Sequence, residues 1–203
     1  MPKKSVYFEE GAKSVFAVAL KWPGWARRSS SRDRALDLLM SCQTRYERVI
    51  GRSLPKGPVT LIGSVQGDAT TDFGAPGAIP SWDAAAITVN ERRRQLEILE
   101  RCWHYFDEVV EFAPPTLAKG PRGGGRDRDD VAEHVREAER AYGRKIGLRI
   151  PPRTLWHEQR TMLIDRLKDV HVAGAWPTSY AIRRLAWHVV DHAWEIEDKS
   201  AAR

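Results

Sequence analysis

Hydrophobic positions change their spacing along the chain, from short strand-like runs in the first third to helical stripes in the rest. Val6-Tyr-Phe and Ser14-Val-Phe-Ala-Val-Ala-Leu20 have β-branched and aromatic content, and Glu-Glu-Gly-Ala-Lys between them is a turn signal, so a hairpin is predicted. Trp22-Pro-Gly-Trp25 ends the second strand, because proline cannot donate to a ladder and glycine permits a sharp turn. Ser31 is a candidate N-cap for a helix running to Ile50, in which Leu36, Leu39, Met40 and Tyr46 recur at helical spacing. Val59 to Val65 reads as another strand. Residues 1–66 are thus predicted to form a small ββαβ unit.

Residues 67–89 break the pattern. Asp68 to Trp82 carries three glycine or proline turn signals in quick succession and is predicted to be irregular. Its apolar Phe73, Ile79 and Trp82 predict that it packs rather than floats, and loops of this length are often functional, here as a lid over a pocket in the following helices. Beyond it, four helical stripes follow. Asn90 is the candidate cap of a helix over 91–110 with Leu96, Leu99, Trp103, Phe106 and Val110 inward, ended by Pro114-Pro115. The next begins at Asp127 and shows Val131, Val135, Ala138, Tyr142 and Ile146. A third spans Thr154 to about Val170, with Leu155, Met162, Ile164 and Leu167 loosely periodic. The last starts after Trp176-Pro177, with Thr178 or Ser179 as cap, carries Ile182, Leu185, Ala186, Val189, Ala193 and Ile196, and fades at Lys199. Short connections imply antiparallel neighbours. The expectation is an α+β chain in which residues 67–89 link the small unit to an antiparallel four-helix bundle over 90–203 that folds alone.

Composition narrows the classes. At 203 residues the chain can bury a sizeable core. No apolar run approaches the roughly 20 residues needed to cross a bilayer, and Met1-Pro-Lys-Lys-Ser precedes no signal-type segment, so no membrane association and a cytoplasmic location are expected. Cys42 and Cys102 lack paired spacing, which points away from a disulfide framework or a cysteine-zinc site. A formal charge of +6 raises the question of nucleic acid. The arginines are dispersed among acidic residues, however, and read as solvated helix faces. Among eight tryptophans, Trp187 and Trp194 share a face away from the last helix's main stripe, where they pack on a neighbouring element or on a partner in a homodimer.

Histidine carries the candidate chemistry. His188 and His192, four residues apart, project from one face of the last helix on a flank of its apolar stripe. Open catalytic metal sites usually use three protein ligands, and His134, beside the stripe of the second bundle helix, is the best third. His104, His157 and His171 read as structural or solvent-facing. Asp191 and Glu195 are placed to orient ligating imidazoles, or Glu195 to act as a base. The loop Lys119-Gly-Pro-Arg-Gly-Gly-Gly-Arg126 leads into the helix of His134, and flexible backbone, arginines and a helix N-terminus suit an anion, with Arg122 and Arg126 as its contacts.

The segment Asp-Val-Ala-Glu-His134-Val-Arg-Glu-Ala-Glu-Arg-Ala-Tyr, followed by Trp-His188-Val-Val-Asp-His192-Ala-Trp-Glu, resembles the DinB-like (YfiT-type) superfamily of metal-binding four-helix bundles over residues 90–200. The resemblance implies a zinc- or nickel-like divalent ion on His134, His188 and His192, and a transferase acting with a low-molecular-weight thiol on a small molecule. Ala-Trp-Glu follows the pair where the family often has a small residue and then glutamine or glutamate, which implies a different pocket wall. The other class of reading is a binding or interaction module with a vestigial metal site. Phe16-Ala-Val-Ala-Leu-Lys-Trp-Pro-Gly-Trp25 and the helix after it are similar to the small HicB-type antitoxin fold, which implies a protein- or RNA-facing module.

Overall fold

Val6 and Phe8 lie on one face of the first strand and Tyr7 and Glu9 on the other, the two-residue period of a pleated strand. In the computed structural model, which describes residues 3–120, 124–169 and 174–201, all four are buried. The strand, β1 (Ser5–Glu10), pairs antiparallel with β2 (Val15–Ala19), with Phe8 opposite Ala17, so the predicted hairpin is present. The turn after it does more than stop a strand. Gly24, at φ +93°, reverses the chain into β3 (Ala26–Ser29), which pairs antiparallel with β2. Its sequence, Ala-Arg-Arg-Ser, has no apolar run, so hydrophobic pattern alone does not reveal it. β4 (Thr60–Gln66) joins β1 in parallel, giving a mixed sheet of order β3-β2-β1-β4. The helix predicted between them is two, α1 (Arg32–Ser41) and α2 (Gln43–Ile50), meeting at Cys42. Ser31 caps α1 by accepting from the Arg34 amide at 3.4 Å. The N-terminal part is therefore βββααβ rather than ββαβ.

Residues 67–89 contain a short helix, α3 (Ala69–Phe73), and a 3-10 turn (Ser81–Asp83). The segment packs, but not through the side chains predicted to hold it. Phe73 is 89% exposed, Ile79 is also exposed, and Trp82 only leans on Tyr7 with ring centroids 5.6 Å apart. Polar groups hold it instead. The buried Glu9 carboxylate accepts from the Thr71 hydroxyl at 2.6 Å and the Gly77 amide at 2.7 Å. Tyr180 donates to the Gly77 carbonyl at 2.9 Å, and buried Arg183 forms a bidentate pair with Asp83. An irregular backbone has few internal partners for its amides and carbonyls, so burying one side of it demands side chains that supply them.

The remaining helices are α4 (Val89–Phe112), α5 (Arg128–Lys145), α6 (Trp156–Lys168) and α7 (Thr178–Ala201). Thr88, not Asn90, caps α4, accepting from the Glu91 amide. Inward on α6 are Leu163, Ile164 and Leu167; the predicted Leu155 is exposed because it lies before the first helical turn, and Val170 is outside the described residues. α4 and α5 both pack on α7, and α6 packs on α4 and α5.

α7 is buried on every side from Ser179 to Val190. A stripe alone would leave the opposite side to solvent. Here that side meets the sheet: Trp187 packs edge-on against Phe16 of β2 at 5.8 Å, and the Trp194 ring lies under Arg27 of β3 at 3.8 Å and Arg45 of α2 at 4.7 Å. Both tryptophans thus find their neighbour within the chain. One hydrophobic core runs from Val6, Phe8 and Ala17 of the sheet through Leu99 of α4, Val135 of α5 and Leu163 of α6 to Val189 of α7, so no break in packing separates residues 1–66 from 90–203. Among the described residues no helix is long and apolar enough to cross a membrane.

Candidate metal centre

His134 sits in the second turn of α5, facing α7, and His188 and His192 sit one turn apart in the middle of α7. The packing of α5 on α7 brings them together: one nitrogen of each lies within 4.8 Å of the others. The ring centroids are 5.1 Å apart for His134 and His188, 4.9 Å for His134 and His192, and 4.5 Å for His188 and His192. His188 and His192 are buried, and His134 is the most exposed of the three.

The donor set suits a borderline divalent ion. His188 Nε2 and His134 Nε2 are 3.2 Å apart, near the roughly 3.3 Å that separates two imidazole nitrogens on a tetrahedral ion with bonds of about 2.0–2.1 Å. Both imidazoles are held neutral, with lone pairs available. Burial, reinforced by Arg126 and His192, pushes His134 down to about 4, and burial with the neighbouring imidazoles pushes His188 well below the ordinary histidine value. His188 Nδ1 is buried with no hydrogen-bond partner among the described residues. Its other nitrogen therefore carries all the polar contact this ring makes, and that contact is the triad.

Glu195 stands behind His192. Its Oε2 lies 2.7 Å from His192 Nδ1, so the ring donates through Nδ1 and turns the Nε2 lone pair toward the other histidines. The same carboxylate accepts from Lys199 Nζ at 2.5 Å and has Arg126 at 3.8 Å. The hydrogen bond from His192, then that from Lys199, holds Glu195 down to about 2. Its contact with His192 Nδ1 is the one an orienting carboxylate makes behind a ligating imidazole.

Asp191, predicted alongside Glu195, points elsewhere: it pairs with Arg27 of β3 at 3.3 Å. Spacing does not decide this, since Asp191 follows His188 by three residues as Glu195 follows His192; β3 brings Arg27 to Asp191, whereas Glu195 lies against His192. Arg126 reaches the site through Glu195. Arg122 lies outside the described residues, as does His171. The exposed His104 and His157 are on α4 and α6, away from the triad.

The loop's far end is tied down: Asp127 accepts from the Leu117 amide at 3.0 Å and from Lys119 at 2.6 Å, and the Ala118 amide donates to the Lys199 carbonyl at the end of α7. Aromatic groups form the other wall. The Tyr142 ring meets His188 edge-on at 5.6 Å, and Trp176 packs on Tyr142 at 5.2 Å. Arg184, one turn before His188, lies against Tyr142 at 5.4 Å and Trp187 at 4.9 Å. Sequence pattern did not single out Tyr142, Arg184 or Lys199 as site neighbours; the only signal was helical spacing, Arg184 four before His188, Lys199 four after Glu195 and Tyr142 eight after His134. No protein-family model matches the chain, and neither a curated protein nor a solved structure does.

Proposed function

We propose that His134, His188 and His192 hold one divalent transition-metal ion, zinc or nickel, and that the protein is a DinB-like metal-binding transferase acting with a low-molecular-weight thiol on a small molecule. The convergence of three imidazoles from two helices on one point, with Glu195 fixing the tautomer of His192, carries the reading. On it, α4 to α7 are the four-helix bundle of that superfamily. When bound, the ion supplies a Lewis-acidic position that lowers the pKa of a thiol or water. The chain's own groups do the rest. Glu195 and Lys199 hold His192 in place, Arg126 makes the mouth electropositive, and Tyr142 and Trp176 form an apolar wall.

The test is metal analysis and calorimetric titration of protein purified without a histidine tag. About one zinc or nickel ion per chain is expected, lost in His188→Ala. Identical isotherms for the two proteins would sink the assignment. Cobalt-substituted protein should then develop a sulfur-to-cobalt charge-transfer band with one of mycothiol, bacillithiol, glutathione or coenzyme A. A spectrum indifferent to all four, with metal still bound, would favour a non-catalytic binding module instead.

A further inference from the structure

Arg184 is an unusual cation. It is only 8% exposed, yet among the described residues no carboxylate lies within 4 Å of it. Its neighbour Arg183, equally buried, has Asp83. What Arg184 has is the Pro76 carbonyl at 3.4 Å and the rings of Tyr142 and Trp187. Glu9 is near enough to feel its charge but not within ion-pair distance: its Oε1 accepts from Thr71 and Gly77, and its Oε2 is buried without a hydrogen-bond partner among the described residues. Burying a guanidinium with no carboxylate in contact is costly. Around the triad the imbalance repeats: Arg126 and Lys199 share the single carboxylate of Glu195, while Asp191 is engaged by Arg27.

We infer that Arg184 receives a carboxylate group of the molecule that binds at the histidine triad, so that the substrate or thiol is an acid bearing its carboxylate a few bonds from the atom at the metal. The inference rests on the metal reading above and names the ligand class for it. Three observations support it. Arg184 precedes His188 by one helical turn, so both project from the same face of α7, about 6 Å apart at their Cβ atoms. Tyr142 neighbours both, with the guanidinium over its ring and the His188 ring edge-on to it. Both rings turn their faces to the guanidinium carbon, and the N–H edge of a guanidinium is where an anion is received. A planar carboxylate matches that edge with two parallel hydrogen bonds better than a tetrahedral oxyanion does.

The experiment compares two thiols of similar size on cobalt-substituted full-length protein, 3-mercaptopropionate and 2-mercaptoethanol, each titrated by its charge-transfer band. A charge-assisted bond to a buried arginine is worth roughly a 10- to 100-fold preference for the carboxylate thiol. Arg184→Gln should erase that preference while leaving 2-mercaptoethanol affinity within about twofold, whereas Arg126→Gln should keep most of it. Equal affinities in wild type, or a preference that survives Arg184→Gln and disappears in Arg126→Gln, would overturn the inference while the metal reading stands. No cobalt bands at all would sink the metal reading, and this inference with it. Should Arg184→Gln not fold, the side-chain Nε–Hε resonance of Arg184 in wild type decides: it is expected to shift with 3-mercaptopropionate and not with 2-mercaptoethanol, and an unmoved resonance refutes the assignment.

Discussion

Individual residues in the triad behave in ways their neighbours dictate. Glu195 contacts the triad at His192, so on the proposed metal site Glu195→Gln should retain the three ligands yet weaken zinc affinity about 10- to 100-fold, the usual cost of losing a carboxylate behind a ligating imidazole. Competition with a chromogenic chelator would measure it, and an unchanged affinity would remove Glu195 from the site. The same burial that keeps His134 and His188 neutral makes the metal-free protein acid-sensitive. Their folded values lie below the unfolded value of about 6.5, so the unfolded chain binds more protons as pH falls. Stability is expected to be full above about pH 6.5 and to decline toward about pH 4, the value to which His134 is pushed. Denaturant titrations of metal-free protein at pH 7 and pH 5 would show the loss, and His188→Phe should flatten it. Arg183 and Asp83 present a different case, a buried pair that anchors residues 67–89 to α7. Removing one partner strands the other, and Asp83→Ala should cost about 3–5 kcal/mol.

At the scale of elements, the turn from Trp22 to Trp25 decides more than its length suggests. It converts β2 into β3, which carries Arg27 to Asp191 and Trp194 of the helix that holds two of the histidines. Gly24 is bound to this role twice. Its φ is +93°, and a Cβ there would meet Val190 Cγ2 at 3.2 Å and Cys102 Sγ at 3.4 Å, both in the packed interior between α7 and α4. Gly24→Ala should therefore destabilise by about 1–3 kcal/mol through strain and overpacking together, seen as a lower denaturation midpoint with an unchanged slope. An unaffected midpoint would show that the turn can relax. The long helices were legible because their apolar stripes repeat over many turns, and the hairpin because its turn chemistry is explicit. β3 was not, since an edge strand of four residues with two arginines carries no hydrophobic period.

The whole molecule turns on α7. Its stripe of Ile182, Leu185, Val189 and Ile196 faces the other helices, but its tryptophans need the sheet, α2 and the arginines those elements present. A fragment of residues 90–203 would expose Trp187 and Trp194 and leave Asp191 and Arg183 without Arg27 and the 67–89 segment. We expect that fragment to lose cooperative thermal unfolding, and a sharp transition near that of the full chain would show instead that the helices close on themselves. Packing continuity of this kind cannot be read from a glycine- and proline-rich break. Such a break marks a change of local structure, whereas core membership depends on which faces meet.

Local information in the sequence sufficed for the α+β class, the hairpin, the helix stripes and the three histidines, because spacing along a strand or helix determines which side chains share a face. It did not distinguish Asp191 from Glu195 as the carboxylate behind His192, nor reveal that 67–89 is held by Glu9, Tyr180 and Arg183 rather than by Phe73 and Ile79. Those outcomes were decided by tertiary structure. A polar group's partner is whatever another element brings within hydrogen-bond reach, and residues 62 or 100 positions apart carry no mutual pattern in the chain. The triad itself shows both halves: the sequence nominated His188, His192 and His134, and only the docking of α5 on α7 brings the third to the other two.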